Sequence, residues 1–134
     1  MPKSRRSVEF SQPLTLLVDN NTEAAVLLAA QLAHAGFPTR IAATCSTALD
    51  LVTTEQFWFI IVVSTLEDAV CLDGLRKLSR RAPRAWLIVI SASDNPSAIH
   101  LVHKCGGDAL ITAPFAVAEL AGRLAALSVR RRPV

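Results

Sequence analysis

Side chains that could bind a metal or form disulfides are few in this sequence and widely spaced. The three cysteines, Cys45, Cys71 and Cys105, are an odd number and include no Cys-x-x-Cys pair. This pattern argues against a disulfide framework and a zinc site, and it is typical of proteins in a reducing cytoplasm. His100 and His103 lie three residues apart with Cys105 nearby, but no fourth ligand has a suitable spacing. We therefore predict a cytoplasmic protein without such a metal centre and without a cofactor.

Nucleophilic catalysis would require a serine or cysteine that is paired with a base. Cys71 and Ser91 are the candidate nucleophiles in this chain. No histidine follows a predicted strand, and the sequence contains no Gly-x-Ser-x-Gly motif. The residue pattern therefore predicts that the protein is not an enzyme.

The composition is that of one globular domain with a large apolar core. The chain has 134 residues, of which 51% are hydrophobic and 19% are charged, so it can bury enough apolar surface to fold. No apolar run approaches the ~20 residues that span a bilayer. The basic N-terminus is not followed by the apolar segment of a secretion signal. We expect a soluble protein that does not bind membranes.

The net charge of +3 comes from the two ends of the chain. Residues 1–6 carry three basic groups and residues 123–132 carry four, whereas residues 7–122 carry seven basic and eleven acidic groups. The body of the chain is therefore negative, which argues against a basic groove and against direct binding of nucleic acid. The predicted division is a basic tail, one domain, and a second basic tail or linker: 1–12, 13–129 and 130–134.

Five short apolar segments alternate with five segments of helical character. The apolar segments have hydrophobic residues at odd and even positions, which is typical of strands buried on both faces of a sheet. The predicted strands cover 14–18, 38–43, 57–63, 86–90 and 109–112. The predicted helices cover 22–35, 46–53, 70–81, 96–105 and 117–129. This alternation predicts an α/β fold with a doubly wound sheet of five parallel strands in a three-layer α/β/α arrangement.

The predicted core contains the apolar residues of these strands and one side of each helix. Its members are Leu16, Val18, Val26, Ala30, Leu32, Ile41, Ile60, Ile61, Val62, Leu75, Leu78, Ile88, Val89, Ile90, Leu110 and Ile111. In open α/β sheets the functional residues follow the carboxyl ends of the strands. The predicted strand ends are Asp19-Asn20, Ala43-Thr44, Val63-Ser64-Thr65, Ser91-Ala92 and Ala113-Pro114.

Five motifs between residues 14 and 131 resemble, in order and spacing, the receiver domain of two-component response regulators. They are LLVDNN, AHAGF, LDGL, LIVISAS and KCGGDALITAPF. The segment FAVAELAGRLAALSVRRRP is similar to the last receiver helix and to the basic linker that precedes a DNA-binding domain in many regulators. The resemblance implies a flavodoxin-like (βα)5 fold and a role in phosphorelay signal transduction.

The resemblance also implies where the phosphorylation chemistry of the family would lie. In that family an aspartate after strand 3 is phosphorylated, two acids after strand 1 help to hold Mg²⁺, and a hydroxyl and a lysine bind the phosphoryl oxygens. The first acid and the hydroxyl match Asp19 and Ser91. The second acid falls on Asn20, the phosphoacceptor on Val63 and the lysine on Ala113. The resemblance therefore implies a degenerate phosphorylation pocket, in which Asp19 alone binds Mg²⁺ weakly.

Two further family positions lie on or beside the fifth predicted strand. The cis-proline position is kept as Pro114, and Leu110 replaces the aromatic residue that reports the switch. The loop after strand 3, STLEDAVCLDG, lacks the usual proline and is longer than usual. A shift of register in this loop would make Asp68 or Asp73 an alternative phosphoacceptor.

The favoured hypothesis is a pseudo-receiver that acts by phosphorylation-independent contact with a protein partner or an attached output domain. The alternative is a sensory domain that binds a small molecule or an anion in the vacated pocket at the strand ends. We expect a homodimer through the face of the fourth helix, the fifth strand and the fifth helix. The predicted face includes Ile99, His100, Val102, His103, Ala118, Arg123 and Leu124.

Overall fold

The computed structural model describes residues 14–64, 69–92 and 96–130 of the chain. Strands β1 to β5 are, in chain order, Thr15–Val18, Thr39–Ala42, Phe59–Val63, Trp86–Ser91 and Ala109–Thr112. Helices α1 to α5 are Thr22–His34, Cys45–Thr54, Ala69–Arg81, Pro96–Lys104 and Val117–Ser128. The predicted tail over 1–12 and residues 131–134 of the second tail lie outside the described residues.

The five strands form one parallel sheet in the order β2-β1-β3-β4-β5. Strands β1, β3 and β4 are central and almost completely buried, which explains why their sequences are apolar except at Thr15 and Ser91. The predicted flavodoxin-like (βα)5 fold is confirmed. The carboxyl ends of β1, β3 and β4 meet at the same edge of the sheet, where strand-end residues come together.

Successive strand residues point to opposite faces of the sheet and build two separate core layers. Leu16, Ile60 and Val89 belong to the layer beneath α2, α3 and α4. Leu17 and Ile61 belong to the layer beneath α1 and α5. The helices therefore cover both faces of the sheet, and the edge at the carboxyl ends of the strands remains accessible for a functional site.

Helix α1 has both of the terminal signals that its sequence contains. The side chain of Asn21 accepts a hydrogen bond from the backbone N–H of Ala24 at 3.1 Å, and so caps the N-terminus. At the other end Gly36 has a φ of +99°, and Phe37 N–H donates to the carbonyl of Leu32 at 2.8 Å. This is the glycine-containing C-terminal turn that a left-handed residue allows.

Four residues predicted for the core are not buried. Val26 and Ile41 are 54% and 37% exposed, Ala30 is exposed, and Leu110 is half-buried. Ile41 lies in β2 at the edge of the sheet, where one face is open. Val26 and Ala30 lie in a helix that is apolar almost all round, and Ala25, Ala29 and Leu32 are the residues that it buries against the sheet.

None of the helices in the described part of the chain has the length and apolar character needed to cross a membrane.

Candidate functional site

A cleft of about 460 Å³ opens at the carboxyl ends of β1, β3 and β4. It is bordered by the first residue of α2 and by the first turn of α3. The structure brings five of the predicted site residues together in its lining: Asp19, Asn20, Val63, Ser91 and Ala113. The cleft thus contains residues at the carboxyl ends of all five strands.

Asp19 has a structural contact at the end of β1. Its backbone N–H donates to the carbonyl of Ala42 at 3.0 Å. Its carboxylate oxygen Oδ1 accepts a hydrogen bond from the N–H of Asn21, also at 3.0 Å. Asp19 therefore holds the residue that caps α1, a contact that requires no metal or phosphate. Asn20, the next residue, is exposed to solvent.

Val63 is the last residue of β3, and the register of the sheet defines its surroundings. Val18 pairs with Val62 across β1 and β3, so the residues that follow them, Asp19 and Val63, come together at the sheet edge. On the other side Val63 pairs with Ile90. Val63 is 36% exposed and lines the cleft, so its methyl groups occupy part of the surface available to a ligand.

Ser91, the last residue of β4, lies beside Ala113, which directly follows β5. Ala113 N–H donates to the carbonyl of Ser91 at 2.8 Å, and Ser91 is buried. The Ala113–Pro114 peptide bond is cis, but Pro114 is exposed and does not line the cleft. Leu110 lies on β5 and packs against the core layer beneath α2, α3 and α4, away from the cleft lining.

The residues present do not fit a Mg²⁺ centre of the type described for receivers. Asp19 is the single carboxylate in the cleft lining among the described residues, and one of its oxygens already accepts from Asn21. A Mg²⁺ ion is commonly held by more than one carboxylate or by phosphate oxygens as well. Elsewhere in the described part of the chain, no group of three His, Cys, Asp or Glu side chains could hold a metal ion.

Two thiols, Cys45 and Cys71, also line the cleft. Sequence reasoning named Cys71 only as a candidate nucleophile and did not bring it together with Cys45. Cys71 Sγ donates to Ser64 Oγ at 3.0 Å. A hydrogen bond to Cys71, together with burial, raises the pKa of the Cys45 thiol above its ordinary value. The two residues are far apart in sequence on different helices. The one sequence feature that could have indicated their proximity is that both lie near the start of a helix. In this topology these helix starts lie at the edge of the sheet where the strands end.

The predicted partner face is only partly exposed. Ile99 is 52% exposed, and His103 lies one turn further along α4, also exposed. The prediction for Leu124 is wrong: it has no accessible surface and packs in the core layer beneath α1 and α5. Val102 is likewise buried, at 1% exposure. These two residues point to the sheet because each helix uses its apolar side for the core.

No family model and no curated protein sequence matches this chain. Solved structures do match it. A response regulator from Thermotoga maritima superposes with a TM-score of 0.78 at 21% identity, covering 87% of this chain and 97% of that one. The receiver domain of a Francisella response regulator gives 0.78 at 24% identity, with 88% and 98% covered. A Burkholderia pseudomallei response regulator, solved with a phosphorylated aspartic acid, gives 0.73 at 26% identity, with 91% and 76% covered.

These similarities extend over most of the chain and nearly all of the first two neighbours. The strand order and the helices on both faces are therefore those of the receiver-domain fold. At these identities the likeness defines the fold.

Proposed function

We propose that this chain is a degenerate receiver module: a cytoplasmic signalling domain that acts through protein–protein contact, without phosphorylation of an aspartate. The observation that carries the proposal is the valine at the end of β3, in the cleft beside Asp19. An acyl phosphate forms on a carboxylate, and Val63 has only methyl groups. The fold supports a signalling role, and the cleft argues against the family's reaction.

The rest of the cleft argues in the same direction. Phosphoryl transfer requires positive charge to neutralise the oxygens in the transition state, normally from a metal ion and a lysine. In this cleft Asn20 and Ala113 stand where the second acid and the lysine are expected. The alternative acceptor Asp73 lies on α3, where its carboxylate is 3.1 Å from the Lys77 ammonium, and it does not line the cleft. Asp68 lies outside the described residues.

The test is the mass of the intact protein after incubation with acetyl phosphate and Mg²⁺. We expect no phosphoryl adduct on the natural chain and little on Val63→Asp alone. The triple variant Val63→Asp, Asn20→Asp, Ala113→Lys should recover partial phosphorylation. Because Val63 is 36% exposed, a carboxylate there remains hydrated and the variant should fold. The matched control carries Val63→Asn with the other two changes, and it should form no adduct.

A stoichiometric, hydroxylamine-labile adduct on the natural chain would contradict the proposal. It would mean that another carboxylate has become the acceptor. An equal adduct on the triple variant and on its asparagine control would show that phosphorylation occurs outside the cleft.

The partner of the module is a second copy of this chain or an output domain, through the face of α4, β5 and α5. Ile99 and His103 are four residues apart and so lie on the same side of α4. With Leu124 buried, this face has fewer apolar residues than the sequence predicts. A genomic reading frame that continues past residue 134 into a DNA-binding domain or an ATPase would identify the output.

Binding of a small molecule or anion in the cleft is the alternative function. The volume of about 460 Å³ is within the range of ligand sites. However, two backbone N–H groups near the start of α1, which an anion would use, already donate to Asp19 and Asn21. A ligand that raises the melting temperature of the natural chain, and fails to do so for Val63→Arg, would favour this alternative.

A further inference from the structure

Helices α2 and α3 approach each other closely at Gly74. A Cβ atom built at Gly74 would lie 2.7 Å from the Sγ atom of Cys45 and 2.9 Å from its Cβ. The Cys45 side chain therefore occupies the space that any larger residue at position 74 would need. Cys71 is three residues before Gly74 and lies on the same side of α3. The thiol of Cys45 is thus seated against the side of α3 that carries Cys71.

The two thiols lie close to each other at the wall of the cleft. Cys71 is near enough to raise the pKa of the Cys45 thiol, and Cys71 Sγ donates to Ser64 Oγ at 3.0 Å. Both cysteines are half-buried and line the open cleft, so a small solute can reach them. The third cysteine, Cys105, is 2% exposed and belongs to the core layer beneath α2, α3 and α4.

We propose that Cys45 and Cys71 are a redox-active pair that a hydroperoxide converts into a disulfide bridging α2 and α3 at the wall of the cleft. Neither the phosphorylation chemistry nor its absence is needed for this reaction. In a reducing cytoplasm such a bond is transient and characteristic of a redox sensor rather than of a structural disulfide.

The reaction proceeds in two steps. One sulfur, as its thiolate, attacks the hydroperoxide, the O–O bond breaks, and the sulfur becomes a sulfenic acid while an alcohol or water leaves. The second sulfur attacks the first, the S–S bond forms, and water is released. In total two thiols and one ROOH give one disulfide, one ROH and one water. We assign the first attack to Cys71, because hydrogen bonding and burial keep Cys45 protonated.

Oxidation would change the cleft directly. The disulfide removes the S–H group with which Cys71 donates to Ser64. Ser64 is bound to β4 through its backbone, since its N–H donates to the carbonyl of Ile90 at 2.9 Å. The new bond also fixes the start of α2 to the first turn of α3. The redox state would therefore alter the surroundings of Ser64, the residue that directly follows Val63.

The experiment treats the reduced, intact chain with hydrogen peroxide and then alkylates it with N-ethylmaleimide in denaturant. The reduced protein has three thiols to label. We expect the oxidised protein to take one label, on Cys105, and a peptide map to link Cys45 with Cys71. Reduction with dithiothreitol should restore all three labels.

Variants separate this pair from other thiol chemistry. Cys71→Ser should keep both remaining thiols under the same treatment, because the thiol of Cys45 stays protonated. Cys45→Ser should form no disulfide and should instead lose the Cys71 label to a sulfenic acid, which dimedone traps. Cys105→Ala should lose both of its thiols to the disulfide. Retention of three labels by the natural chain would overturn the proposal. So would a disulfide to Cys105, a bond between two chains, or oxidation of each cysteine separately to a sulfinic acid.

Discussion

Replacement of Gly74 by alanine tests the packing of α2 against α3. The added Cβ would lie 2.7 Å from Cys45 Sγ and 2.9 Å from Cys45 Cβ. Real side-chain atoms do not approach so closely, and the Cβ atom of Cys45 is attached directly to the backbone of α2. Because protein interiors are close-packed, α2 itself has to shift. We therefore predict that Gly74→Ala destabilises the domain.

Gly122 in α5 is a matched control. Each glycine is the sixth residue of its helix, but nothing lies within 4 Å of a Cβ built at Gly122. Alanine is favoured over glycine in a helix interior by about 1 kcal/mol, so Gly122→Ala should stabilise the protein by about 0.5–1 kcal/mol. Gly74→Ala has the same gain, opposed by an overpacking cost of about 1–3 kcal/mol. The two variants should therefore differ by about 1–3 kcal/mol.

The assay is urea denaturation followed by circular dichroism, in which the midpoint and slope give the free energy of unfolding. The double variant Cys45→Ala, Gly74→Ala removes Sγ and keeps the Cβ contact at 2.9 Å. Its cost should be smaller than the sum of the two single changes, because they share one contact. Equal effects of Gly74→Ala and Gly122→Ala would refute the close approach and would remove the geometric basis of the thiol pair.

Three further predictions concern different parts of the molecule. Ile99→Arg should convert a solution dimer to a monomer in sedimentation, whereas Val26→Arg, equally exposed on α1, should not; an unchanged profile for Ile99→Arg would contradict the partner face. Thr15→Val should stabilise the domain by about 1 kcal/mol in the same urea assay, because the Thr15 hydroxyl is buried with no hydrogen-bond partner in the described structure; a loss of stability would contradict this. The free energy of unfolding should fall as pH rises above the ordinary thiol pKa of ~8.5. Cys71 and burial raise the pKa of Cys45 in the folded protein, so the unfolded chain loses this proton at a lower pH than the folded one. The Cys45→Ser variant should show a smaller fall over the same pH range.

Much of the fold could be predicted because the strands of a parallel sheet covered on both faces are apolar at odd and even positions, a pattern that is visible in the sequence. In β4, for example, the first five residues, WLIVI, are all apolar and only the last, Ser91, is polar. No surface helix of that length has such a pattern. The bounds of α1 coincide with Asn21 and Gly36, which are residue types typical of helix ends. These signals are local, so one sequence is sufficient to find them.

The errors arose where burial depends on neighbours that the sequence does not reveal. Leu124 and Ile99 are both apolar residues on helices, yet the first is fully buried and the second is half exposed. Only the rotation of each helix against the sheet decides between these outcomes. The contact of Cys45 with Cys71 likewise depends on the close approach at Gly74, a tertiary feature with no periodicity in sequence.

The residues that match the family's site have structural contacts that account for them without any reaction. Asp19 accepts from the N–H of the residue that caps α1, and Ser91 is buried at the end of β4, where its carbonyl accepts from Ala113. A functional phosphorylation site also needs groups with no such packing role, namely a carboxylate at the end of β3 and an ammonium beside it. Those are the positions that hold Val63 and Ala113. The described part of the cleft therefore contains groups that the fold uses and lacks the two groups that only the reaction would use, which is the pattern that the proposed phosphorylation-independent role requires.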